Sequence, residues 1–266
     1  MTEAGLAEAL RGRPFRFYPS VESTNSVAVK WVKAGPPPAS GSVVVADEQT
    51  AGRGRFNRRW MTPAGTAVAM SVILRCEEAR RPAPAAGLAV AETVSPLVEA
   101  KVGLKWPNDV EIAGKKVAGI LIESVSASPA SSVSAPMYVV GIGINVEESY
   151  GEGTVPLSQA LGRRVTSLSH HYRPGLEDIP RETLIADIAD RLETRVADPE
   201  LMSRWKERLT TIGMRVRVAV FDGTVEGTAL DVDEDGCLVV RDDDGGMHHL
   251  CAGDVSISTA LFDKNC

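Results

Sequence analysis

The sequence predicts an α+β fold: a mixed strand-and-helix unit over residues 1–210, followed by a small β-barrel-like unit over 211–266. Two observations carry this. Strand-type and helix-type segments follow one another in the first part without strict βαβ alternation. From Arg215 onward the pattern changes to "RVRVAV", "TVEGTALDV", "GCLVVRD" and "MHHLCAGDVSI". These are short β-type runs separated by Asp-Gly and Gly-Gly turns, the pattern of a small antiparallel barrel.

The elements follow in order. "STNSVAVKWVKA" (23–34) begins with capping residues and then places apolar side chains at 27, 31, 32 and 34. It reads as an amphipathic helix stopped by Gly35 and three prolines. "SVVVADEQ" (42–49) and "TAVAMSVIL" (66–74) are β-branched or apolar runs, expected as buried strands. "PAAGLAVAETVSPLVEA" (84–100) has helical spacing throughout, despite Pro96. "LKWPNDVEI" (104–112), "AGK" and "KVAGILIES" (116–124) predict a strand, a turn and a hairpin. "SASPASSVSAP" (126–136) has no apolar period and predicts a flexible loop. "MYVVGIGINVE" (137–147) is a strand, 148–180 is loop-rich, and "RETLIADIADRLETRV" (181–196) is a helix with one apolar face.

Bulk properties narrow the function. The 266 residues carry a net charge of −6, which argues against a general nucleic-acid binder. No apolar run reaches the roughly 18 residues of a membrane span, and no signal peptide precedes Tyr18, so a cytoplasmic protein is expected. Cys76, Cys237, Cys251 and Cys266 form no CxxC pair and are expected as free thiols. The histidines fall as two adjacent pairs, which do not suit metal binding because neighbours face apart.

Two glycine motifs fail their templates. "GIGINV" (141–146) has Val146 where a dinucleotide fingerprint needs its third glycine, and "AGKK" lacks the upstream glycine and the Ser/Thr of a phosphate loop. A third is more informative. "QTAGRGRFNRRW" (49–60) contains four arginines, with Gly52 and Gly54 expected to take positive φ and approach a ligand. Guanidinium forks grip carboxylate or phosphate bidentately. Taken alone, such a loop also reads as a solvated basic turn. The same chain, however, supplies matching chemistry: "STN" at a helix start, "KWPND" with an amine, an amide and a carboxylate, and Lys116 at the mouth of an apolar strand. Lys116 also suits snorkelling.

"STN" (23–25), "ADEQTAGRGR" with "RRW" (46–60), "KWPNDV" (105–110), "GKKVAGILIE" (114–123) and "GIGINV" (141–146) together resemble biotin protein ligases, in order and across nearly the whole first unit. The tail, "EGTALDVDEDGCLVVRDDDG", resembles the SH3-like domain that ends those enzymes. The resemblance implies a mixed sheet related to class II aminoacyl-tRNA synthetases. It implies a two-step reaction in which biotin and ATP give biotinyl-5′-AMP and a lysine of a biotin carboxyl carrier domain then takes the biotin. Mg²⁺ is the implied metal.

By the same resemblance, Ser23, Thr24, Asn25 and Gln49 fall around biotin. Arg53, Gly54 and Arg55 fall on the loop that closes over it, and Lys116 contacts carboxylate and phosphate. Arg53, Arg55 and Lys116 are the expected catalytic groups. Arg58, Trp60, Asn108 and Asn145 match nucleotide-side positions, and Asp109 is the candidate Mg²⁺ neighbour. Core packing remains open for Trp60 and Trp106, and a strand end for Asn145. Asn57 stands where the family often has a second glycine, a residue that tolerates left-handed φ. Only 22 residues precede "STN", so no DNA-binding domain and no DNA partner are expected; a monomer or homodimer is left open. A lipoate ligase, a tRNA-acting synthetase and a non-catalytic biotin sensor are the rivals. "RGR", "KWPND", the acidic charge and Lys116 weigh against them.

Overall fold

The computed structural model describes residues 1–126, 135–147, 149–150, 155–156, 165–176, 179–221 and 223–257. Most of the predicted 126–136 loop, several parts of 148–180, and Cys266 lie outside these residues.

The first unit is built on a seven-stranded sheet in the order β1-β2-β3-β7-β6-β5-β4. Its strands are β1 (Phe15–Val21), β2 (Val43–Gln49), β3 (Ala67–Arg75), β4 (Val102–Lys105), β5 (Asp109–Ile112), β6 (Lys115–Val125) and β7 (Met137–Asn145). β1 pairs with β2 in parallel, and every other neighbour is antiparallel. A mixed sheet results, as predicted. β1 carries Pro19, and as the edge strand it tolerates a residue that cannot donate to a ladder. A two-stranded ribbon, β8 (Ser149–Tyr150) with β9 (Val155–Pro156), follows β7.

Side-chain alternation along the strands sorts the helices onto opposite faces. α2 (Thr24–Lys33) buries Ala28 and Val32 against Val44, Ile73, Val125, Met137 and Val139. On the other face, α1 (Glu3–Leu10), α3 (Pro82–Val94) and α4 (Arg181–Ala197) pack over Val43, Val45, Val72, Val140 and Ile142. α5 (Leu201–Glu207) then leads to the C-terminal unit. α2 starts as predicted, with the Ser23 hydroxyl accepting from Ser26 N–H. α3 is shorter than predicted: Ser95–Leu97 tightens into a 3₁₀ turn around Pro96, whose ring cannot continue the α ladder.

The C-terminal unit is a five-stranded antiparallel sheet in the order β13-β12-β11-β10-β14, formed by β10 (Arg215–Val220), β11 (Gly223–Val232), β12 (Leu238–Arg241), β13 (Met247–Leu250) and β14 (Asp254–Ile257). It shares one continuous core with the first unit. Trp106 is buried between them, where its indole Nε1 donates to Gly236 O at 2.9 Å and its backbone N donates to Thr211 Oγ1. Of the two readings open for Trp106, packing is the one realised. The thiol expectation is corrected. Leu238 and Leu250 are register partners, so Cys237 and Cys251 leave the ladder side by side, 4.1 Å apart at Cα, and form a disulfide. Cys76 is free and buried.

Candidate active site

One cleft opens on the α2 face of the large sheet. Every residue singled out from the sequence as a site residue lines it: Ser23, Thr24, Asn25, Gln49, Arg53, Gly54, Arg55, Arg58, Trp60, Asn108, Asp109, Lys116 and Asn145. Five cationic side chains and two carboxylates share the lining, so the cleft is basic inside an acidic molecule.

The innermost part is a buried polar network. Gln49 Oε1 accepts from the backbone N–H of Thr24 at 2.9 Å, and Gln49 Nε2 donates to Thr62 Oγ1 at 3.3 Å. Ser71 Oγ lies 2.8 Å from Thr24 Oγ1 and donates to Asn25 Oδ1 at 2.6 Å. Asn25 Nδ2 donates to Glu123 Oε2 at 2.7 Å. Thr24 and Asn25 are nearly fully buried, so their polar atoms are partnered as burial demands.

The glycines of "GIGIN" gain a structural meaning here. On β7, Gly141 and Gly143 face the cleft two residues apart. A Cβ on Gly141 would sit 2.3 Å from Asn25 Oδ1, and one on Gly143 would sit 2.3 Å from Trp60 Nε1. They make room for one side chain from the helix start and one from the loop. Trp60 lines the cleft, and among the described residues its Nε1 is buried without a partner. A buried indole N–H ordinarily finds an acceptor, so a ligand atom fits there.

The arginine loop departs from expectation in its backbone. Gly52 and Gly54 do not supply the left-handed conformation; Gly54 is extended, and Phe56 holds φ 55, ψ 41. Gly52 is needed for close approach: a Cβ there would lie 2.3 Å from Trp60 O, where the loop's two limbs are hydrogen-bonded.

Three of the loop's four arginines are already held. Arg53 Nη2 donates to Glu123 Oε2 at 2.7 Å. Arg55 Nη1 donates to Asn108 Oδ1 at 3.2 Å and to Gly253 O at 3.1 Å. Arg58 is ion-paired with Asp254 on β14. Burial lowers the Arg55 guanidinium from its ordinary value, against the pull of Asp109 and Asp254. The Arg58 hydrogen bond holds the Asp254 carboxyl below the usual range.

Lys116 Nζ sits 2.5 Å from Asp109 Oδ1 and 5.5 Å from the centre of the Trp60 ring. Its backbone is fastened by Thr166 N–H, which donates to Lys116 O at 2.8 Å. Asn145 Nδ2 donates to Thr166 O at 3.0 Å, so Asn145 both ends β7 and braces this segment. Sequence reasoning missed Glu123, Ser71 and Asp254. Glu123 stood within a quoted motif, but its partners lie 70 and 98 residues away along the chain.

This arrangement suits chemistry between two small anions. Guanidinium and ammonium groups from separate segments surround one cavity, with a buried hydrogen-bonding pocket at its inner end.

Comparisons with known proteins identify the chain's relatives. Residues 17–145 match the biotin/lipoate A/B protein ligase family, and residues 211–258 match the biotin protein ligase C-terminal domain. The chain is 37% identical over 224 residues to the biotin–[acetyl-CoA-carboxylase] ligase of Mycobacterium tuberculosis, covering 81% of this chain and 78% of that protein. It is 32% identical to the bifunctional ligase/repressor BirA of Bacillus subtilis, covering 91% of this chain and 73% of that one. The fold matches a biotin protein ligase from Aquifex aeolicus, solved with biotin and ATP, at a TM-score of 0.73 and 24% identity, over 92% of this chain and 98% of that chain.

Proposed function

The chain belongs to the biotin/lipoate A/B protein ligase family, and on that premise we propose how its cleft carries out the reaction. The activity is that of a biotin protein ligase: biotin and ATP are consumed, biotinyl-5′-AMP is the intermediate, and a carrier protein is biotinylated. A biotin carboxylate oxygen attacks the α-phosphorus of ATP and pyrophosphate leaves. An amine nitrogen of the carrier then attacks the acyl carbon, AMP departs, and the amine's proton passes to solvent.

The observation that carries the residue assignment is the convergence of five separate motifs on one basic cleft. The buried Thr24–Asn25–Gln49 network suits a neutral ring that both donates and accepts hydrogen bonds, which is the ureido end of biotin. Ser23 holds the helix start that presents this network. Lys116, Arg53 and Arg55 lie where the carboxylate and α-phosphate would meet, and there their charge offsets the repulsion between two anions. Arg58, Trp60, Asn108 and Asn145 flank the nucleotide end. Gly54 lets the loop lie close over the intermediate and keep water from it.

Mg²⁺ belongs to the proposal. Among the described residues no cluster of three or more His, Cys, Asp or Glu could hold a metal alone. Magnesium at nucleotides takes one or two carboxylates plus phosphate oxygens, so Asp109 fits as its protein ligand. When bound, the ion neutralises phosphate charge.

We assign catalysis to residues 1–210 and treat 211–266 as a unit that closes the nucleotide end. The partner is a carboxyl carrier domain, and the net charge of −6 argues against a nucleic-acid partner. We propose a cytoplasmic site. Among the described residues no helix is long and apolar enough to cross a membrane. Incubation of a carrier domain with this protein, ATP and biotin, read by mass spectrometry, tests the function. One biotinyl group on a single lysine is expected. Modification with lipoate but not biotin would overturn the reading.

A further inference from the structure

We propose that Glu123 is a positioning residue that couples the biotin pocket to the loop closing over it; this rests on the ligase reading above. Glu123 lies on β6, outside the cleft lining, and its side chain is half-buried. One carboxylate oxygen, Oε2, takes two hydrogen bonds. Asn25 Nδ2 donates from the buried start of α2, and Arg53 Nη2 donates from the loop, both at 2.7 Å.

Each contact fixes something the reaction needs. The Asn25 amide is oriented by the Glu123 carboxylate, which only accepts and so faces Nδ2, leaving Oδ1 to accept from Ser71 Oγ at 2.6 Å. The Asn25 amide is thereby held in one orientation toward the ligand cavity. Arg53 is more exposed, with its side chain 45% accessible, so the Glu123 ion pair is the main restraint on where its guanidinium rests. A carboxylate accepting two donors, one of them charged, makes stronger bonds than neutral pairs do. Because both bonds end on the same oxygen, the loop's position and the amide's orientation are set together. Biotin bound against Asn25 therefore meets an amide whose set orientation goes together with the loop position that covers the adenylate.

The full-length protein with Glu123→Ala and Glu123→Gln tests this, together with Arg53→Ala and the Arg53→Ala/Glu123→Ala pair. The readouts are the biotin KM in pyrophosphate exchange and the dissociation rate of preformed biotinyl-5′-AMP by stopped-flow. Glu123→Ala should raise both by about tenfold, the effect of losing a charge-assisted hydrogen bond. Glu123→Gln keeps an acceptor oxygen and should recover part of the loss, which a purely structural role would not predict if both variants melt like the wild type. In the double variant the two effects on adenylate release should not add. Unchanged adenylate release in Glu123→Ala, or full additivity with Arg53→Ala, overturns the coupling. Should Glu123→Ala fail to fold, the same comparison on Glu123→Gln decides. Wild-type protein without biotin-dependent exchange would instead defeat the ligase reading itself.

Discussion

Lys116 holds its ammonium 2.5 Å from Asp109 Oδ1, across the two strands of the β5–β6 hairpin. The bulge between Val110 and Glu111 shifts the register there, and the Ala113–Gly114 turn, with φ values of 50° and 72°, closes the hairpin. The pair lines the cleft, so the cation proposed to meet the phosphate is already oriented by its own carboxylate.

Lys116→Ala should lower adenylate formation by about 10²–10³-fold, the scale for removing one preorganised charge-stabilising group. The fold should persist, because the side chain is not part of the apolar core. Biotin-dependent pyrophosphate release, with circular dichroism as the control, checks this. Near-normal release would remove Lys116 from the chemistry.

Arg55→Gly removes the guanidinium that ties the loop to Asn108 and to Gly253 O of the C-terminal unit. Adenylate should dissociate about tenfold faster or more. Stopped-flow release of the intermediate measures it, and an unaltered rate counts against the loop's covering role.

Gly141→Ala and Gly143→Ala should separate the two substrates. The first drives a methyl into Asn25 and should raise the biotin KM; the second drives one into Trp60 and should raise the ATP KM. Overpacking on this scale costs about 1–3 kcal/mol. Initial-rate kinetics against each substrate would show it, and equal effects on both KM values would contradict the division of the cleft.

Glu111 is buried beside Thr210, and that burial raises its carboxyl above the ordinary range. A raised carboxyl in the folded protein leaves stability intact below the unfolded value of about 4.3 and loses it as pH climbs through the folded value. Glu111→Gln should therefore melt higher than wild type at neutral pH, with the two midpoints converging near about pH 4. Parallel melting curves across that range would rule out the buried charge as the cause.

Local chemistry made much of this molecule legible from the chain. Ser23 announced the helix start, the β-branched runs announced β2 and β7, and the Gly-Arg loop with Lys116 supplied the cations that line one cleft. Those signals depend on neighbours within a few residues, where backbone preference and charge act directly. Other features depended on contacts across the chain. Pro96 ended α3 where helical spacing ran on, because spacing does not register a missing N–H. The Cys237–Cys251 bond awaited the β12–β13 register. Glu123 and Asp254 became partners of Arg53 and Arg58 only when strands distant in sequence came side by side. The amino-acid order determined which charges and hydrogen-bonding groups were available. Their pairing was decided by the packed sheet, because short-range ion pairs and hydrogen bonds form only between atoms that folding has already brought within about 3 Å.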